Sequence, residues 1–282
     1  MAEVVKKRGR ILLVASGMQE IGKSFLSLKQ MIWQAYSSKH KSKGLIFDSN
    51  NEYGNYVIDG KAYKIKEISP NDIIRFSNHT NSEVRRIAPY YKNGAPMTDE
   101  DTEQLILKVL YEFRGGGLIV DDLNTIFGDN LPDRVTKALC NVRHKNYDLT
   151  LHVQSIGRIS TKIRQNAKVV RYHYQLDPVL DSKDKLTGEL EIYQIAEKLV
   201  NNQFISGNKY FVVYIFRVDK KIKGQFSPKM FSNAIQEYIS ENTNRLLNPL
   251  KAKVNKEGKK MYTHEQALLL KTKEFFIRYY GN

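Results

Sequence analysis

The stretch Gly17-Met18-Gln19-Glu20-Ile21-Gly22-Lys23-Ser24 fits the pattern G-x-x-x-x-G-K-[ST] without a mismatch. Glycines at both ends of the loop permit backbone angles that a Cβ forbids, so the loop can turn its N–H groups inward as a nest for phosphate oxygens. A helix beginning near Lys23 adds the positive end of its dipole. The Lys23 ammonium can then meet the β- and γ-phosphates of a bound nucleotide, and the Ser24 hydroxyl can reach Mg²⁺. Gly17, Met18, Gln19, Glu20, Ile21, Gly22, Lys23, Ser24 and Phe25 form the expected nucleotide-binding set.

A second constellation follows a hundred residues on. Leu118-Ile119-Val120-Asp121-Asp122 is an apolar run ending in two carboxylates. Asp121 is expected to hold Mg²⁺, directly or through water, so that Ser24 and Asp121 are the metal residues. Asp122 is expected to orient or deprotonate the attacking water. A third position, Gln154, sits at the tip of the next apolar segment, Asp148–Val153, where a side-chain amide can sense the γ-phosphate.

These residues need elements to hold them. Ile11–Ala15 reads as a buried strand, and Phe25, Leu26, Leu28, Ile32 and Trp33 recur at helical spacing. Gly44–Phe47 reads as a second strand ending in Asp48-Ser49-Asn50-Asn51-Glu52-Tyr53, at the end of a strand where open α/β sheets bind ligands. That loop is not a calcium loop, because its sixth position is Tyr53 and its twelfth Asp59. Short strands are expected at Val57-Ile58, Ala62–Ile65 and Asp72–Phe76. Arg75, Arg85, Arg86 and Lys92, mixed with Tyr90 and Tyr91, suit either nucleic-acid contact or an ordinary surface. Thr98 and Asp99-Glu100-Asp101 cap a helix with Leu105, Ile106, Val109 and Leu110 on one face. Helix Arg134–Asn141, a turn at Arg143–Asn146 and the strand Asp148–Val153 follow, then a helix flanked by Arg158 and Arg164. Beyond these, Val169–Leu176 and Tyr210–Phe216 read as strands, and Glu191–Val200 as a helix. Lys220–Gly224 reads as a basic hairpin, and Phe231–Ser240 and His264–Tyr280 as amphipathic helices. The expected organisation is a basic arm over 1–10, a core over 11–230, and a helical extension with a basic linker over 231–282.

Composition narrows the function. Across 282 residues, Lys plus Arg is 45 against Asp plus Glu 30, a formal net charge of +15. Such an excess favours a polyanionic partner, nucleic acid first and an anionic membrane surface second. Cys140 is the single cysteine, so an intrachain disulfide and a multi-Cys zinc site are both excluded. The histidines show no metal spacing. No signal peptide and no apolar stretch of membrane-spanning length is present, so a cytoplasmic protein is expected.

The loop Gly17–Ser24, the element Asp48–Tyr53, and Leu118–Asp122 followed by Arg143-His144 and Gln154 together resemble the FtsK–HerA superfamily of P-loop ATPases. Asp48-x-x-x-Glu52-Tyr53 is similar to the D-P-x-G-E-Y element of HerA-type members, with Ser49 for the Pro and Asn51 for the Gly. The run Arg143–Ser155 with Ile163-Arg164 is similar to a segment shared by viral genome-packaging ATPases and the Zot-like ATPases of filamentous phage assembly. Asp122 stands where the superfamily usually has Glu. The resemblance, over about residues 10–176, implies an α/β fold: a RecA-like P-loop NTPase core, with a mostly parallel central sheet flanked by helices, plus the C-terminal helical extension. It implies an ATP-hydrolysing DNA translocase, with ATP and Mg²⁺, working as a homo-oligomeric ring, usually a hexamer, with portal or capsid proteins as further partners. Two other readings stay open: a Zot-like assembly or secretion ATPase that recruits a separate membrane subunit, and a nucleotide-gated DNA-binding protein. The resemblance also implies an arginine acting in a neighbouring subunit's site, with Arg143 first, then Arg158 or Arg164.

Overall fold

The computed structural model describes residues 10–36, 42–128, 131–141 and 146–281. The chain forms two compact units, Met1–Val169 and Val170–Asn282. The boundary expected at residue 230 lies inside the second of them.

In the first unit the elements run β1 (Leu12–Ser16), α1 (Lys23–Tyr36), β2 (Lys43–Phe47), β3 (Asn55–Ile58), β4 (Lys61–Lys64), β5 (Lys66–Glu67), α2 (Ile73–Asn78), β6 (Val84–Ile87), α3 (Asp99–Glu112), β7 (Gly116–Val120), α4 (Asn124–Phe127), α5 (Asp133–Cys140), β8 (Tyr147–Val153) and α6 (Thr161–Asn166). The main sheet places β1, β8, β7, β2, β6 and β5 side by side, and every neighbouring pair is parallel. This is a mixed α/β fold with a mostly parallel sheet flanked by helices. The central strands β2 and β7 are almost wholly buried, as strands covered by helices on both faces must be.

Local sequence explains the pieces. Buried Lys23, Ser27, Leu28, Met31, Ile32 and Ala35 mark one face of α1. That face packs on Ile46 of β2, Ile119 of β7, and Tyr53, Ile58 and Ile65. The strands β3 and β4 form a separate antiparallel hairpin whose two-residue loop, Asp59-Gly60, has φ of 49° and 76°. Two positive φ angles fit the turn that matches the twist of paired strands. Thr98 caps α3, its hydroxyl accepting from the Asp101 N–H at 3.2 Å, with Asp99, Glu100 and Asp101 in the first turn.

Other expectations need correction. Asp72–Phe76 is not a strand. Ser69 accepts from the Asn71 N–H, Pro70 opens a 3₁₀ turn over Pro70–Asp72, and α2 follows at once. The proline fixes a helical φ and the cap satisfies an N–H, which together override the β-branched Ile73-Ile74. The turn expected at Arg143–Asn146 falls, up to residue 145, outside the described residues, as does the basic arm up to residue 9.

The second unit carries β9 (Val169–Tyr172), α7 (Leu190–Ile205), β10 (Val213–Phe216), β11 (Lys221–Gly224), α8 (Pro228–Glu241), α9 (Thr243–Leu246), α10 (Asn248–Lys251) and α11 (His264–Tyr279). The strands expected over Val169–Leu176 and Tyr210–Phe216 are therefore shorter. The basic segment is the second strand of an antiparallel pair, with Ile215 opposite Ile222. The aromatic stripe of α11 is core: Phe275 meets Tyr238 of α8 edge-on at 5.7 Å, and Phe276 meets Phe231 at 5.6 Å.

Candidate nucleotide-binding site

The register of the first sheet brings the chemistry together. Phe47 of β2 lies level with Val120 of β7, Val120 with Leu151 of β8, and Val14 of β1 with Leu151. The ends of four strands therefore meet at one edge. They deliver the loop after β1, the acids after β7, Gln154 after β8 and the Asp48 turn after β2.

The loop from Gly17 to Gly22 joins β1 directly to α1, with Lys23 as the first helical residue. Gly17, Glu20 and Gly22 have φ of 153°, 60° and 83°. That curvature is the nest expected of a phosphate-binding loop. Ile21 is buried and anchors the loop, while Gln19 and Glu20 are exposed. The Gly17 N–H donates to the Val153 carbonyl at 3.1 Å, which ties the loop to β8. Lys23 is only 8% exposed, and its Nζ donates to the carbonyls of Gly17 and, at 3.1 Å, of Val153. The ammonium is thus held at the loop by acceptors that a phosphate oxygen can replace. Ser24 is half-buried beside it, and Phe25 is exposed.

Both acids are buried. The Asp121 N–H donates to the Phe47 carbonyl at 3.1 Å, which extends the β2–β7 pairing past the strand. Asp121 Oδ1 lies 2.6 Å from His152 Nδ1, and His152 Nε2 lies 2.7 Å from Ser27 Oγ on α1. Asp122 Oδ2 accepts from the Gln154 side-chain amide at 3.1 Å, and Gln154 Oε1 accepts from Arg158 at 3.2 Å. Asp122 Oδ1 is buried with no partner. Burial pushes the Asp122 carboxyl above its ordinary value, and the Gln154 amide and the Lys23 charge oppose that rise.

The turn after β2 supports this edge from the other side. Asp48 is fully buried, and it accepts from the N–H groups of Glu52 at 2.8 Å and Tyr53 at 3.0 Å and from Arg86 of β6 at 2.7 Å. Ser49 Oγ donates to the Asp121 carbonyl at 2.6 Å. Partial burial and the charges of Asp121, Asp48 and Asp122 raise the Glu52 carboxyl above its ordinary value. Arg85 is engaged with Glu83, and Arg86 with Asp48.

The structure therefore brings together Lys23, Ser24, Asp121, Asp122 and Gln154. Arg143 lies outside the described residues. Arg158 is exposed and touches Gln154 of its own chain, whereas Arg164 is 5% exposed. Ser27, His152 and Arg86 were not foreseen as parts of the site. The donor set fits MgATP: a curved N–H loop, a held lysine, two carboxylates and a buried carboxylate oxygen with no partner. Among the described residues no group of three or more His, Cys, Asp or Glu is arranged to hold a metal ion alone.

Residues 71–206 match the family model described as Zonular occludens toxin (Zot). The Zot-like resemblance read from the sequence is borne out. The matched region includes Asp121, Asp122, His152 and Gln154 and begins after the phosphate loop. No curated protein matches the chain in sequence. Among solved structures, the chain is similar to the genome packaging NTPase B204 of Sulfolobus turreted icosahedral virus 2 in complex with ATP-gammaS. The identity is 17%, the TM-score 0.49, and the match covers 76% of this chain and 95% of that one. The DNA-packaging ATPase B204 of Sulfolobus Turreted Icosahedral Virus matches at 17% identity and TM-score 0.47, over 76% and 95% of the two chains. The N-terminal domain of zonular occludens toxin from Neisseria meningitidis matches at 12% identity and TM-score 0.32, over 58% and 76%. No helix among the described residues is long and apolar enough to cross a membrane.

Proposed function

We propose that the chain is a P-loop ATPase of a viral genome-packaging system, which couples ATP hydrolysis to DNA movement through a homo-oligomeric ring. The observation that carries the ATPase reading is the meeting of the Lys23 loop, Asp121, Asp122 and Gln154 at one sheet edge. The N–H groups of Gly17–Gly22 and the Lys23 ammonium bind the phosphates. Ser24 and Asp121 would hold Mg²⁺, which would neutralise charge on the phosphate oxygens. Asp122 takes a proton from the water whose oxygen bonds to the γ-phosphorus, while the bond to the β–γ bridging oxygen breaks and ADP leaves. A raised carboxyl suits that role, since a base works best with a pKa nearer the working pH. Gln154 fixes the orientation of Asp122. An arginine from a neighbouring subunit, Arg143 first, supplies further charge for the transferring group, an effect worth about 10³–10⁵ in rate.

DNA as the polyanion is supported by the net charge of +15. The Zot match favours a second reading, an assembly ATPase that works with a separate membrane subunit. The test measures ATPase rate with and without single- and double-stranded DNA, alongside particle mass in solution. Stimulation by DNA is expected, with log affinity falling against log salt by about 0.9 per duplex phosphate neutralised, or about 0.7 on single strands. Hydrolysis indifferent to DNA, with a flat salt slope, transfers the assignment to the assembly ATPase. Absence of hydrolysis under every condition overturns both.

A further inference from the structure

His152 is fully buried and belongs to no part of the reaction described above. It sits on β8, the strand between the loop strand β1 and the acid strand β7. Because Leu151 is level with Val120, His152 comes level with Asp121. Its Nδ1 lies 2.6 Å from Asp121 Oδ1, and its Nε2 lies 2.7 Å from Ser27 Oγ. Ser27 is itself buried, one helical turn beyond Lys23 on the same face of α1. A polar chain therefore runs from the helix that carries Lys23 and Ser24, through one imidazole, to the acid assigned to Mg²⁺.

We propose that His152 is a positioning residue that fixes the Asp121 carboxylate for the metal and couples its orientation to α1 through Ser27. A neutral ring that donates from Nδ1 to the carboxylate presents the Nε2 lone pair to the Ser27 O–H, so both nitrogens are matched. Such a ring cannot turn without leaving buried polar groups unmet. With Oδ1 committed to His152, the plane of the Asp121 carboxylate is set before the metal arrives. A shift of α1 is likewise transmitted to the acid, since Ser27 moves with Lys23 and Ser24. Outer partners of this kind commonly hold about 10–100-fold of metal affinity.

The inference rests on the MgATP reading, and its test separates the two. The full chain is titrated with Mg²⁺, and separately with Mn²⁺, while binding of a fluorescent non-hydrolysable ATP analogue is followed. The analogue is also titrated in a chelator, and each variant is melted. His152→Leu is expected to raise the metal concentration at half-saturation about 10-fold or more. Its metal-free affinity for the analogue stays within about two-fold, because the loop and Lys23 are intact. His152→Asn, whose amide N–H can stand where Nδ1–H stood, is expected to recover most of the loss. Ser27→Ala is expected to fall between. If the wild type binds no analogue, or binds it without regard to metal, the MgATP reading fails. If the wild type shows metal-dependent binding and His152→Leu keeps its metal midpoint, the positioning role fails. Should His152→Leu not fold, His152→Phe takes its place with the same expected loss, and an unchanged metal midpoint there overturns the positioning role; an unchanged metal midpoint in Ser27→Ala overturns the coupling to α1. Equal losses of metal-free and metal-supported binding would mean that the residue serves only packing.

Discussion

Removing the Gln154 side chain takes away its bond to Asp122 together with its exposed contact to Arg158, and a double-mutant cycle with Asp122 isolates the first of these. Asp122 has one oxygen, Oδ1, buried without a partner, and the other, Oδ2, accepting from Gln154 at 3.1 Å. Hydrogen bonds to charged groups contribute about 1.5–3 kcal/mol net. Gln154 is only half-buried, so the lower end applies, about 1.5 kcal/mol. Domains of about 150–250 residues shift Tm by roughly 2–4 °C per kcal/mol, so Gln154→Ala should lower the melting of the first unit by about 3–6 °C at pH 8. Trp33, the chain's only tryptophan, lies in that unit, and its fluorescence follows the transition. In an Asp122→Ala background the same substitution should cost much less, leaving a coupling near 1.5 kcal/mol in the double-mutant cycle. The bond favours the ionised carboxylate and therefore opposes the rise that burial imposes. The coupling should then be full above the raised carboxyl pKa of Asp122 and fade as pH falls through it. A coupling below about 0.5 kcal/mol at every pH would refute the reasoning, since that is the scatter of independent sites.

Two further substitutions bear on the same edge. Asp122→Asn should abolish most hydrolysis yet raise the melting temperature at pH 8. A carboxyl whose folded pKa is raised gives its stability below its unfolded pKa and loses it as pH rises through the folded one. The gain should shrink toward pH 4, and a lower melting temperature at pH 8 would contradict it. Lys23→Ala should leave a folded protein by circular dichroism with turnover reduced by at least about 10²-fold, as expected when charge on the transferring phosphoryl group goes unmet. Normal turnover in that variant would remove Lys23 from the reaction.

How much of this was legible in the sequence depends on contiguity. The loop Gly17–Ser24 with its flanking strand and helix is a single stretch, and so is Leu118–Asp122. Each can be read without knowing what lies beside it. Gln154 was readable as a strand tip, but its bond to Asp122 was not, because that depends on which strand neighbours which. The Asp48 turn shows the same limit. Its place at the end of β2 was foreseen, yet its main duty is internal: Asp48 is neutralised by Arg86 and caps the backbone of Glu52 and Tyr53. Arg86 had been grouped with Tyr90 and Tyr91 by proximity in sequence, whereas its partner stands 38 residues away across a strand pair. Asp72–Phe76 failed for a local reason, a capped proline turn outweighing β-branched side chains.

The strand order carries the remaining argument. β8 lies between β1 and β7, so the phosphate loop and the acids are separated by exactly one strand's width of sheet. Whatever stands at the end of β8 must then lie between phosphates and acids. Successive residues on a strand point to opposite faces. The last two residues of β8 and the one after it are all used: His152 engages Asp121, the Val153 carbonyl receives Gly17 and Lys23, and Gln154, just past the strand, engages Asp122. A one-residue slip of β8 against β7 would exchange faces and break all of these contacts together. The register is therefore itself a component of the site, and the buried Ser27–His152–Asp121 chain fastens it at the level where the chemistry requires it.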